Sequence, residues 1–465
     1  MKKKHLALVL VFALIAGLLA GCANTAGKPA AVATEQAVAA ATDAPVTLIV
    51  AGGWEDCRAI ETVGRKFTEQ YPNCTIVYEY LQDYYESLKK RTTGENAVDI
   101  FFTVNIQPES DMLPYALDVN SRSDIDLSGT FDGLIDNFTF REENATQKKL
   151  YAIPLGAEMR GLYINKTLLD SLGITIPTDQ ASLLAACETL KQNGYIPFHG
   201  NPGDFSQTLL YPWVCNLIAN ADDPKAVYEK VNKREAGVSE LLREPMALMY
   251  TLVENGYYDY KRAQTELNLF NGSADIEYAR YFFNIQEKGD TWEKADDLGQ
   301  IAFMPSPLSI RSVIDKVKED YHSTIEYVFV PAPVGKQGGF VYLSPAHAIA
   351  VNKDSANLDW SARFINYLFQ AENNQLFAKE FNVIPNTKDA LAYVTKMYDI
   401  PSNRVCHLGQ VTFDYDFYNT VFKDLLEVSK ANNPKYMQTN EDGTTSLYPL
   451  EYYMGHVDES FTGNE

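Results

Sequence analysis

The order of apolar runs after residue 45 restricts the fold more than any other feature. "VTLIVAGGW", Val46 to Trp54, is β-rich, and the stretch after it places Ile60, Val63 and Phe67 on one helical face before stopping near Tyr71-Pro72. "TIVYEYL", the helical "YYESLKKRT" and the buried-strand pattern "VDIFFT" complete a β-α-β-α-β succession. That succession predicts a mostly parallel sheet covered by helices, an α/β fold. Asp56 is the expected cap of the first helix.

A second α/β lobe is expected to begin near Arg160. After "MRGLYIN", Asn165 caps a helix that Gly173 closes, and Thr178 opens another that stops at Gly194. "YIPFHG" reads as a short strand, followed by helical stretches around "SQTLLYPWVCNLIAN" and "VSELLREPMALMYTLVENGYY". "STIEYVFVPAPVGKQGG" is a strand running into a Pro- and Gly-rich loop, a candidate second connection between lobes. "AHAIAVN" leads to a helix with Trp360, Phe364 and Leu368 on one face. Roughly 420 residues exceed what one hydrophobic core accommodates, so two lobes are the default.

The compartment is written at the start. Lys2, Lys3 and Lys4 precede an apolar run from Leu6 to Ala20, which reads as a secretory signal over residues 1–21. No later segment approaches the roughly 20 apolar residues of a spanning helix. The run ends in "LAGC", which resembles the bacterial lipobox, with Cys22 as the lipidated N-terminus. Each buried acyl methylene contributes about 0.8 kcal/mol, so two or three chains anchor durably. Residues 22–45 then form the lipidated Cys and an Ala- and Thr-rich tether without large apolar side chains.

The formal charge of -21 becomes -24 once the three signal lysines are removed, which argues against nucleic acid or an anionic lipid surface as partner. Cys57, Cys74, Cys187, Cys215 and Cys406 are odd in number and lack C-x-x-C or metal-like spacing, so neither a disulfide framework nor a metal site is expected. Cys57 and Cys74 flank a helix whose ends lie roughly 20 Å apart, beyond disulfide reach.

Taken in order, these segments resemble an extracellular solute-binding protein of the sugar-binding ABC-transporter class, family 1, the type to which maltose-binding protein belongs. "LYAIPLGAEMRGLYINKTLLDSLGITIPTD" matches the family's Pro, extended run, Asn-Lys, helix, Gly and Pro-Thr order, with Ile164 in place of the usual Tyr and without the usual Trp-Glu. "GQIAFMPSP" and the late block from "VFVPAPVG" to "NVIPNTKDAL" match its later landmarks.

The resemblance implies a type II periplasmic-binding-protein-like fold. Lobe 1 would be 46–155 and 338–384, lobe 2 would be 156–337 and 385–465, and the first crossover would run about Ile153 to Ala157. It also implies a monomeric, lipid-anchored receptor on the extracellular face of the membrane, without cofactor, delivering a solute to ABC permease subunits. Glu158 falls where maltose-binding protein has a sugar-binding glutamate. The other reading of Glu158 is a hinge-side ion pair with Arg160 or another neighbour.

A sugar site needs carboxylates, amides or Arg for paired hydrogen bonds and aromatic rings for stacking. Trp54 and Glu55 in "GGWED", Asn105 leaving the third strand, Glu158, Phe205, Trp213, Ser306 and Tyr342 are the candidate ligand contacts. Tyr84 and Tyr85 are more plausible as packing residues, as is the aromatic face of "FDYDFY", Phe413 to Tyr418. His347 reads as a core residue. No G-x-S-x-G, H-E-x-x-H, P-loop or G-x-G-x-x-G occurs, so no catalytic residue is assigned. A secreted glycoside hydrolase remains the alternative, since a carboxylate pair hides easily among many acids, and so does a sensor-type binding protein for a peptide or polyamine.

Overall fold

The computed structural model describes residues 44–455 apart from 95, 104–105, 107, 109, 141–145, 234, 236, 271–273, 289–290, 295–299, 337, 408–436 and 453. Strand Val46–Gly52 pairs in parallel with Cys74–Tyr80 on one side and Ile100–Thr103 on the other, joined by helices Arg58–Gln70 and Tyr84–Arg91. The first helix buries Ile60, Val63 and Phe67, the face its spacing predicted.

Its cap differs from expectation. The helix starts at Arg58, and Asp56 does not cap it. The Glu380 carboxylate, more than 300 residues away, accepts from the Arg58 and Ala59 amides instead. An anion across a helix N-terminus satisfies otherwise orphaned N–H groups and complements the helix dipole.

The long strand Ile153–Asn165 organises everything that follows. Its first half lies antiparallel to Val341–Val351, from Ile349 opposite Ile153 to Leu343 opposite Met159, and Val341–Val351 in turn pairs with Ile100–Thr103. Its second half pairs antiparallel with Ile301–Pro307 and with Tyr327–Val330, and Ile301–Pro307 pairs in parallel with Ile196–Phe198. One strand therefore belongs to two sheet halves. Parallel pairing sits within each half, and antiparallel pairing marks where the crossing strands enter. Val341–Val351, the strand after the Pro/Gly loop, thus runs along the first half of the crossing strand, and Ile384–Pro385 adds a further contact on Ala157 and Gly156.

Strand alternation divides the second half into two cores. Leu162 and Ile164 join a cluster with Phe198, Phe303 and Leu190, while Tyr163 and Met159 join Met304, Ile314 and Phe329 on the other face. Gly161 sits at a close approach of two strands: a Cβ there would lie 2.4 Å from Val330 O. Asn165 caps its helix as expected, accepting from Leu168 N. The next cap is Asp179 rather than Thr178, because Asp179 and Ser182 close a reciprocal capping box. Cys57, Cys74, Cys187, Cys215 and Cys406 are free and buried. Among the described residues no helix is long and apolar enough to cross a membrane.

Candidate functional site

Two groups of side chains stand out, an aromatic one around Trp54 and a charged one around the crossing strand. Trp54 follows the Gly52-Gly53 pair at the end of the first strand, where Tyr78 Oη crowds Gly52 and donates to Trp54 O at 2.9 Å. The indole remains 36% exposed, which is high for a residue so enclosed. Phe102, Phe381 and His347 meet its ring edge-on at centroid distances of 4.9, 5.1 and 5.3 Å. His347 has φ +49° inside the strand Val341–Val351, and burial pushes its imidazole pKa down to about 4. It is therefore a neutral wall of this aromatic box. Glu55 and Asp56 are exposed beside it. Tyr84 packs on the lobe, its hydroxyl 3.1 Å from Ala51 O and 2.5 Å from Phe102 O, while Tyr85 is exposed.

Glu158 and Arg160 lie on the crossing strand, and they do not pair with each other. Glu158 Oε1 accepts from Met159 N at 3.0 Å and from Ser309 N at 3.3 Å. Burial raises its pKa, opposed by those hydrogen bonds and the nearby Arg160 charge. Arg160 instead forms an ion pair with Asp204, in the helix Pro202–Leu209. Burial lifts the Asp204 pKa despite that partner, and burial with the Asp204 charge lifts Asp275 as well. A second group lies close by: His199 Nε2 is 2.6 Å from Glu266 Oε2, and Arg262 donates to Glu266 Oε1 at 2.8 Å. Burial alone would raise Glu266, but His199 and Arg262 outweigh it and hold the carboxyl below its ordinary range. These side chains can offer a polar solute both donors and acceptors in a partly desolvated setting.

The other expected contacts are placed differently. Phe205 is fully buried, stacked on Tyr258 at 3.7 Å. Trp213 is 2% exposed within the second-half core. Tyr342 is buried with its ring edge-on to Tyr211 at 4.7 Å. All three pack the interior here. Ser306 is buried opposite Gly161, its hydroxyl donating to Pro305 O at 2.6 Å. Asn105 and Phe413 to Tyr418 lie outside the described residues.

Asp204, Asp275, His199 and Glu266 were not singled out from the sequence. The only available signal was the turn "HGNPGD" after a strand, which carries two of them. Among the described residues no group of His, Cys, Asp or Glu could hold a metal ion.

Comparison with known proteins places this geometry. A model of the bacterial extracellular solute-binding proteins matches residues 62–400. The chain belongs to that family. None of the curated proteins matches this solute-binding protein.

Solved structures share its fold across nearly the whole length. A family 1 extracellular solute-binding protein from Bifidobacterium longum subsp. infantis is 14% identical, with 90% of this chain and 100% of the other covered and a TM-score of 0.57. The sugar-binding protein MalE from Xanthomonas citri is 14% identical, covering 90% and 98%, at 0.58. The apo form of RafE from Streptococcus pneumoniae is 13% identical, covering 91% and 99%, at 0.57. At such identities the likeness establishes the two-lobed α/β fold of this solute-binding protein. The family and these neighbours are binding proteins.

Proposed function

We propose that this chain is the lipid-anchored receptor of an ABC importer, capturing a sugar or oligosaccharide between its lobes and delivering it to a membrane permease. The observation that carries the reading is the crossing strand: Glu158 and Arg160 sit where it leaves one sheet half for the other, with Asp204 opposite and Trp54 at the neighbouring sheet edge. An aromatic face beside charged hydrogen-bonding groups suits a ligand with apolar C–H faces and many hydroxyls. Sugar-binding neighbours support the choice, and RafE has been seen in complex with raffinose.

Lobe 1 would comprise 46–155 and 338–384, and lobe 2 would comprise 156–337 and 385–465. Trp54, Glu55, Asn105, Glu158 and Ser306 remain proposed contacts, joined by Arg160 and Asp204. Phe205, Trp213 and Tyr342 would support the walls from behind. Export through residues 1–21 and lipidation at Cys22 would hold the protein at the extracellular face. The ligand favours the closed arrangement only by its differential affinity for it.

The test is a thermal-shift screen against mono- and oligosaccharides, with peptides, polyamines and metal ions as controls. A ligand that binds only the folded state raises the midpoint, by about 2.7 kcal/mol of stabilisation at 100 times Kd. A saturable rise with one sugar, recovered unchanged, is expected. A response to polyamine or peptide alone would reassign the solute, and release of smaller sugars would turn the reading to a hydrolase.

A further inference from the structure

The helix Ala371–Phe381 has two occupied faces. Phe377 and Phe381 pack towards His347, and Phe381 also towards Trp54. Ala378 and Lys379, on a different face, line a separate pocket of about 380 Å³. Its other walls include Leu308 and Arg311, where the helix Arg311–Asp320 begins, and Tyr393 and Met397 on the helix Ala390–Tyr398. Val383 completes the apolar lining.

This pocket is cationic in a protein of formal charge -21. Arg311 and Lys379 line it, and among the described residues no Asp or Glu does. Arg311 Nε is buried and has no hydrogen-bond partner among the described residues, and the guanidinium lies 5.8 Å from the Phe329 ring centroid. A buried guanidinium N–H without a partner has lost its hydrogen bond to water, so an acceptor arriving at this guanidinium recovers part of that loss. Tyr393 and Met397 are 40% and 48% exposed, a large apolar surface beside the charge.

We propose that this pocket binds a small amphipathic anion, a carboxylate on a short acyl body, independently of the solute site. The Arg311 fork would take the carboxylate, and Leu308, Val383, Tyr393 and Met397 would cover the chain. The volume suits a ligand of that size. The walls come from both halves of the molecule: Glu380, next to Lys379, holds the first helix, while Arg311 follows the strand Ile301–Pro307. Any hinge motion therefore changes the pocket, and its occupancy and solute affinity are linked reciprocally. That linkage rests on the proposed closure; the binding does not.

Titration calorimetry of the purified protein with octanoate, and with 1-octanol as the uncharged counterpart, tests the proposal. Saturable one-to-one binding of octanoate is expected, with 1-octanol at least tenfold weaker. Arg311→Gln should weaken octanoate at least tenfold, Arg311→Lys less, and Met397→Asp should abolish binding from the exposed rim while leaving the thermal midpoint intact. Absence of saturable octanoate binding, equal binding of 1-octanol, or wild-type binding by Met397→Asp or a folded Arg311→Gln would overturn the site. Octanoate binding in a protein that answers no sugar would keep the pocket and sink only the carbohydrate reading.

Discussion

His347 shows how much a single side chain's surroundings decide. Its imidazole takes up a proton near 6.5 when unfolded and near 4 when folded, because burial among Trp54, Phe377 and Phe381 disfavours the charge. Between those values the unfolded chain binds more protons, so the His347 contribution to stability is full above about 6.5 and is lost as the pH falls through 4. His347→Phe should remove about 2–3 kcal/mol of that loss at pH 4 relative to pH 7, read from denaturant unfolding at both values. A wild-type slope in the variant would refute it. The sequence marked His347 as a core residue and Trp54, after a Gly pair, as a candidate ligand contact. Phe205 and Trp213, also candidate contacts, are buried in the interior, and cleft-facing and core-facing aromatics on helices carry the same local signature. The sequence missed Asp204 because the partner that gives it meaning, Arg160, is 44 positions away.

Helices and strands were legible wherever local physics decides them. The faces carrying Ile60, Val63 and Phe67, and Trp360, Phe364 and Leu368, are buried as their spacing predicted. Caps were legible only when the partner is nearby. Asn165 holds its own helix, whereas the first helix borrows Glu380 from the far end of the chain. Strand pairing was the least accessible, because one residue, Gly161, is enclosed by two segments distant in sequence. Its missing Cβ would meet both Val330 O at 2.4 Å and the Phe329 ring at 2.7 Å. Gly161→Ala must displace backbone, and we expect a loss of about 1–3 kcal/mol in urea unfolding. An unchanged midpoint would show that the two strands yield there. Gly173→Ala, with nothing near its Cβ but φ +67°, is the control that isolates backbone strain from collision.

At the scale of the whole molecule, length led to the expectation of two lobes and charge to that of no polyanionic partner. The proposed anchor belongs here too. Replacing Cys22 by Ser should move the protein from the membrane fraction to the medium, as an immunoblot of both would show, and full retention would refute lipidation at that residue. The mechanics follow from the two strands that pass between the halves, Ile153–Asn165 and Val341–Val351, which are hydrogen-bonded to each other along their shared length. Pro154 and Pro345, which supply no N–H, lie within that ladder. Such a two-ply ribbon flexes across its thin direction, whereas a slip of one residue would turn every side chain to the wrong face. Two dyes, one on each half, should therefore trace a single angular coordinate, and no sliding component should accompany it.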